Sequence, residues 1–330
     1  MMWGLDNPAI RSSMTRNGNS PRGGGKTTAP FHPRTPAWIE KNFTSENKAC
    51  IARCLRHSPS LQSSHAGVEE DQQNGVCRRR NGKNQGDDSR MAPEKKSQMD
   101  KRPKVIRPLF NRMAATYDRG NRTLSLLIDQ IWRRRTVSAL GIRDGQDVLD
   151  IATGTADMAI EAARQADCRV AGIDLSEEML HVAMKKKAQS ANPGRCLFLQ
   201  GDGTRTPFRD DSFHHAMISF GIRNVQDMDS LFRETLRVLK PGGRFAILEF
   251  SLPETPVIRQ VYLFYFKRVL PLLGAVVAGK KEPYFYLRDS VLDFEPPRAL
   301  EERIRRNGFL LALSRPFTFG ICHLYVAEKP

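Results

Sequence analysis

Several things are scarce in this 330-residue chain. Cysteine occurs six times, never as a C-x-x-C pair, and three of the six (Cys50, Cys54 and Cys77) fall in a polar leader. That excludes a zinc ribbon and a disulfide framework, and it fits reduced thiols in a cytoplasmic protein. No apolar run approaches the length that would cross a bilayer, so no transmembrane helix is expected. The start of the chain has no secretory-type apolar core. Acidic residues are few relative to basic ones, 36 against 52, which gives a formal charge of +16. A glycine-rich G-x-G-x-x-G turn is missing too, which points away from a dinucleotide.

Residues 1–100 carry 16 Lys+Arg against 10 Asp+Glu in Gly-, Ser-, Asn- and Gln-rich stretches such as GNSPRGGGKTTAP (18–30). Nothing there repeats at a helix or strand period, and we expect a disordered basic leader. Met91 and Met99 stand just before the patterned region and are candidate alternative starts. The basic balance persists beyond residue 100 and suits an anionic partner as well as it suits a generally basic protein.

From Val105 short apolar runs alternate with helical periods. QDVLDIA (146–152), RVAGIDL (169–175), CLFLQGD (196–202), FHHAMISFG (213–221) and RFAILEFS (244–251) read as strands. DMAIEAARQA (157–166), SEEMLHVAMKKKAQ (176–189, with Ser176 as N-cap) and MDSLFRETLRVLK (228–240, stopped by Pro241-Gly242-Gly243) read as helices. The alternation implies βαβ units around a parallel sheet. The last stretch, 309–329, reads as two strands of a hairpin. The expected fold of residues 101–330 is therefore a doubly wound, Rossmann-like α/β sheet of seven strands whose last strand is antiparallel.

In such sheets ligands bind beyond the carboxyl ends of the strands. The first strand ends in Asp150-Ile151-Ala152-Thr153-Gly154-Thr155-Ala156-Asp157, whose small residues admit a ligand close to the backbone. The second ends in Asp174, which either accepts ribose hydroxyls or simply starts a helix; the neighbouring small-residue loop favours ribose. Asp202 and Gly203 after the third strand can read an adenine edge. Ser219 to Asn224, after the fourth, is where reacting groups should meet.

These strand-end acids, with KPGGRFAILEF (240–250), resemble the class I S-adenosylmethionine methyltransferases. FNRMAATYD (110–118), ISFGIRNVQD (218–227), LKPGGRFAILEFSLP (239–253), YFYLRDSVLDF (284–294) and the segment 308–330 are similar to the ubiquinone/menaquinone biosynthesis C-methyltransferase family. The likeness covers roughly 105–330, with SFGIRN its most specific element. It implies S-adenosylmethionine as methyl donor, contacted at Gly154, Thr155, Asp174, Asp202, Gly203 and Ser219. It also implies a lipophilic quinol methylated on a ring carbon ortho to a hydroxyl, in menaquinone or ubiquinone biosynthesis, with no metal. Another small phenol, a lipid or, more remotely, RNA are the alternative acceptors; no RNA-binding module is apparent and no nucleic-acid partner is expected.

Arg223, with Asn224 as its hydrogen-bonding partner, is the candidate cation that favours the phenolate; the alternative for Arg223 is a structural salt bridge. Tyr117, Tyr284 and Tyr286 are either ring-pocket or core residues. Thr153 and Ala156 stand where many family members have Gly, and Leu127, Asp129 and Gln130 replace a usual Gly, His and Arg before Trp132. The apolar segment 261–279, with Lys280-Lys281, is expected to cover the acceptor site and to rest peripherally on a membrane. The sequence leaves the oligomeric state open.

Overall fold

The computed structural model describes residues 100–125, 127–269 and 282–330. The expected leader, and most of the apolar segment up to Lys281, lie outside the described residues.

Two helices precede the sheet, α1 (Pro103–Leu124) and α2 (Ile128–Leu140). Then follow β1 (Asp147–Ile151), α3 (Asp157–Gln165), β2 (Arg169–Asp174), α4 (Glu177–Ala188), β3 (Cys196–Gln200), β4 (Phe213–Ser219), α5 (Met228–Val238) and β5 (Leu239–Phe250). The chain ends with α6 (Pro256–Phe264), α7 (Glu282–Leu292), α8 (Pro297–Arg306), β6 (Leu310–Phe317) and β7 (Cys322–Glu328).

The seven strands form one sheet in the order β3-β2-β1-β4-β5-β7-β6. β1 to β5 pair in parallel, whereas β7 runs antiparallel to both of its neighbours, as expected. The order reverses between β1 and β4, so their carboxyl ends open a crevice at the switch point. The register sets Ile151 level with both Ile173 and Ile218, which brings three strand-end loops to one edge.

Alternate residues of the strands feed opposite faces. Leu149, Ile151, Ala171 and Ile173 pack under Leu231 and Phe232 of α5 and Leu300 and Ile304 of α8. Val148, Val170, Met217 and Ala246 pack under Trp132, Val137 and Leu140 of α2 and Met158 and Ala162 of α3. Ser176 caps α4 as anticipated, accepting from the Met179 amide at 3.2 Å, with Glu177 and Glu178 in the first turn.

One boundary differs from the sequence reading. α5 stops at Val238, and Pro241-Gly242-Gly243 lies inside β5 rather than ending a helix. Leu239 is already extended and pairs with Phe213, and the register slips before His215 pairs with Arg244. Gly242, at φ 72, and Gly243, whose added Cβ would lie 2.7 Å from the Lys240 carbonyl, make this bulge. The helix ends because its next residue is captured by the sheet.

Candidate functional site

A cleft of about 870 Å3 opens beyond β1, β2, β3 and β4 and is roofed by α1. Its floor is the β1–α3 loop, in which Ala152, Gly154 and Ala156 all take left-handed φ values of 51°, 55° and 67°. Only glycine adopts this region freely, so each alanine costs about 1 kcal/mol. Asp174 holds the loop: its Oδ2 accepts from the Gly154 amide and its Oδ1 from the Ser176 amide, both at 2.8 Å. Burial raises the Asp174 pKa, and the backbone donors oppose that rise. Each oxygen keeps acceptor capacity beyond its one backbone bond, and Asp174 lines the cleft.

Asp202 accepts from the Thr204 amide and hydroxyl on Oδ1, both at 2.8 Å. Gly203 beside it touches β1 so closely that a Cβ would lie 2.5 Å from Ile151 Cγ2. Gly154, Asp174, Asp202, Gly203, Ser219 and Asn224 all line this cleft. Thr155 does not. It is buried beneath the loop and donates to Asp118 Oδ1 at 2.6 Å, next to Lys186, which also pairs with Asp157. Behind β1, Asp150 accepts from Thr153 Oγ1 at 2.6 Å, and burial pushes its pKa up to about 7.

A second, largely apolar cavity of about 420 Å3 adjoins the cleft and shares Phe110, Tyr117 and Phe220 with it. Met113, Trp132, Phe250, Ile258 and Tyr262 form other walls. Arg223 lines this cavity, not the cleft, and is buried. Its Nη1 donates to Glu249 Oε1 at 2.7 Å and to the Phe220 carbonyl at 2.5 Å, and its Nε to Ser290 Oγ at 3.2 Å. The salt bridge weighed as the alternative reading is therefore present. Asn224 faces the cleft and accepts on Oδ1 from the Tyr286 hydroxyl at 2.7 Å. Tyr117 and Tyr286 line the cavity, whereas the side chain of Tyr284 lies outside the described residues. Burial raises the Tyr117 pKa, and the charges of Arg223 and Arg133 pull it back.

Sequence reasoning missed Arg133, Trp132 and Glu249, and named Tyr262 only as part of the segment 261–279 expected to cover the acceptor site. Glu249 sits inside the quoted KPGGRFAILEF segment, and Trp132-Arg133 directly follows the noted departures, so proximity to those motifs was the available signal. Of the departures, Asp129 lines the cavity. Leu127 stands at φ 66°, where glycine is at home, and the buried Asp129 lies 3.6 Å from Arg133 Nε.

A doubly wound sheet with an antiparallel final strand, an acid closing β2 and a roofed cleft at the switch point defines the Rossmann-like methyltransferase class. Two solved structures share this fold. One is a Haloferax volcanii methyltransferase in complex with the Trm112 methyltransferase activator, with TM-score 0.50 and 19% identity, covering 67% of this chain and 97% of that one. The other is Haemonchus contortus phosphoethanolamine N-methyltransferase 2, with TM-score 0.50 and 17% identity, covering 68% and 60%. At these identities the likeness is one of fold alone. The chain belongs to the ubiE/COQ5 methyltransferase family, whose model matches residues 95–329. It is 43% identical to the ubiquinone/menaquinone biosynthesis C-methyltransferase UbiE of Geobacter sulfurreducens, over 68% of this chain and 88% of that protein. It is 36% identical to a demethylmenaquinone methyltransferase of Staphylococcus aureus, over 68% of this chain and 92% of that protein.

Proposed function

We propose that this chain methylates a ring carbon of a demethylmenaquinol or related ubiquinol precursor, with S-adenosylmethionine as donor. The observation that carries the reading is the meeting of a polar cleft and an apolar cavity at Phe110, Tyr117 and Phe220. The cleft is of small-molecule size and offers a carboxylate pair and a glycine floor to a nucleoside. Gly154, Asp174, Asp202, Gly203 and Ser219 hold the donor, and Thr155 shapes the loop from behind.

S-adenosylmethionine supplies an already activated methyl group. The chain's own task is to aim a ring carbon at it and to favour the phenolate that makes this carbon nucleophilic. The phenolate calls for a cation on the cavity wall, and Arg133 and Arg223 are the guanidiniums that line it. Asn224, fixed by Tyr286, orients the ring at the junction. The test is anaerobic methyl transfer from labelled donor to a short-chain demethylmenaquinol by the full chain. Asp174→Ala should abolish it. Protein that binds donor yet leaves the quinol unmethylated would move the acceptor to another phenol.

We also propose that residues 101–330 work peripherally at the cytoplasmic face of a membrane. Among the described residues no helix is long and apolar enough to cross one. Support comes from α6, where Val257, Val261 and Phe264 are 70%, 64% and 65% exposed along one stripe, and Val261 also lines the cavity mouth. Exposed Arg259, Lys267 and Arg268 flank the stripe and suit anionic headgroups. Co-sedimentation with phosphatidylglycerol vesicles should fall in V261E/F264E; unchanged binding would overturn this placement.

A further inference from the structure

The two guanidiniums on the acceptor cavity are employed differently. Arg223 is neutralised by Glu249 and also bonds the Phe220 carbonyl and Ser290. Arg133, also buried, makes one hydrogen bond among the described residues, from Nη1 to Ser219 Oγ at 2.7 Å. Among the described residues its Nε has no hydrogen-bond acceptor; Asp129 Oδ2, 3.6 Å away, forms an ion pair with it that is too long for a hydrogen bond. The other oxygen of Asp129 is engaged by the Ser125 hydroxyl at 2.6 Å. A buried guanidinium with an unused donor is costly unless something else supplies an acceptor. The cavity that Arg133 lines is where that acceptor can enter.

We infer that Arg133, rather than Arg223, is the cation that binds the ionising ring hydroxyl of the acceptor. The inference rests on the reading of this chain as a methyltransferase acting on a phenolic ring carbon. Position supports it. The Arg133 guanidinium lies 4.9 Å from the centroid of Phe220, one of the three rings common to cleft and cavity. Its one bond reaches Ser219, which lines the donor cleft. A ring oxygen held there brings the ortho carbon to the junction. Arg223 lies instead over Phe250, at 5.6 Å, with its charge already compensated.

The chemistry balances without another reactant. The hydroxyl proton leaves to water, and the phenolate pushes an electron pair through the ortho carbon onto the methyl group. The carbon–methyl bond forms as the methyl–sulfur bond breaks, its pair remaining on sulfur. Water then takes the ring proton, which restores aromaticity.

Other titratable groups also face Arg133. They are Tyr117 of α1, Asp129 of α2, Asp150 of β1, Asp157 of α3 and the Cys322 thiol of β7, with Arg223 beyond Tyr117. Asp150 titrates at about 7, within any assay range, so its ionisation must be separated from that of the acceptor.

The experiment measures kcat/KM against pH, anaerobically, for two demethylmenaquinols of different phenol acidity. The full-length wild type is compared with Arg133→Gln, Arg133→Lys and Arg223→Lys. The wild-type acid limb should follow the acidity of the quinol. Arg133→Gln should move that limb up by about one pH unit or more and lower the neutral rate about 100-fold. Arg133→Lys should lie between, and donor affinity by calorimetry should change by less than about tenfold, because the bond to Ser219 is the link from Arg133 to the donor contacts. Should Arg133→Gln not fold, Arg133→Lys and rescue of Arg133→Ala by added ethylguanidinium carry the test. A limb that moves in Arg223→Lys and stays fixed in the Arg133 variants overturns the inference, as does a wild-type limb indifferent to quinol acidity. Wild type that binds donor but methylates neither quinol overturns the functional reading itself, and this inference with it.

Discussion

The cleft and the cavity are built by opposite means. The cleft is made of strand ends, and each contributing loop is short and contiguous: 152–156, 174–176, 202–204 and 219–224. Backbone amides and glycines do most of its work, held by a sheet that leaves them little freedom. The cavity is made of side chains from α1, α2, α6, α7, the end of β5 and the turn after β6, spread from Phe110 to Ile321. Its charged groups, Asp129, Arg133 and Arg223, are buried, and the two arginines are held by partners far away in sequence. Under the proposed function, a ligand shared by many methyltransferases would be read by the scaffold, and the particular acceptor by what is appended to it.

If that contrast holds, the cavity should be the more fragile of the two. Glu249→Leu leaves the Arg223 guanidinium buried beside an apolar side chain. We expect a loss of about 3–5 kcal/mol in urea unfolding, most of it recovered in the double variant Glu249→Leu/Arg223→Leu. A single-variant cost below about 1 kcal/mol would mean that the pair does not brace the wall.

Buried in β1, Asp150 has its pKa raised from its ordinary 3.8 to about 7. A carboxyl raised on folding contributes stability fully below about pH 3.8, and that contribution is lost as pH climbs through about 7. The wild type should therefore lose stability relative to Asp150→Asn between pH 5 and 8, by on the order of 3 kcal/mol in matched unfolding curves. Parallel curves would show that Asp150 is ionised at no cost and that β1 is more solvated than its packing implies.

The difference in construction also explains what the sequence made legible. The strands, their alternation with helices and the antiparallel end were readable because each declares itself within a few residues. So was the placement of Asp174, Asp202 and Gly203 at the cleft, since a strand-end position fixes where a residue sits. The end of α5 was misplaced because capture of Leu239 by Phe213 is a tertiary event that overrides the usual stop signal of Pro-Gly-Gly. Thr155 stands in the right loop, yet left-handed turns on either side rotate it beneath the cleft. Arg133 and Glu249 acquire their meaning only through Ser219 and Arg223, 86 and 26 residues away. No local pattern carries that.

On the donor side, Asp174→Ala releases the Gly154 and Ser176 amides together. Two bonds to a charged acceptor are lost, along with the acceptor itself. We expect donor affinity to fall about 100-fold by calorimetry while the circular dichroism spectrum is kept. A proportionate fall in acceptor binding, measured on the same protein, would blur the separation between the two regions.

The smallest effect probes the seam. Tyr286 lines the cavity, Asn224 lines the cleft, and one hydrogen bond of 2.7 Å joins them. Burial pushes the Tyr286 hydroxyl up to about 12, so it remains a donor throughout any usable assay range. Tyr286→Phe keeps the ring and its edge contact with Phe110, whose centroid lies 6.3 Å away, and removes only the bond. The expected stability cost is about 1 kcal/mol. If cleft and cavity communicate through this bond, acceptor KM and donor Kd should both shift, each by less than about tenfold. A shift in KM alone would confine Tyr286 to the cavity and leave Phe220, with Arg133 above it, as the stronger candidate for coupling the two sites.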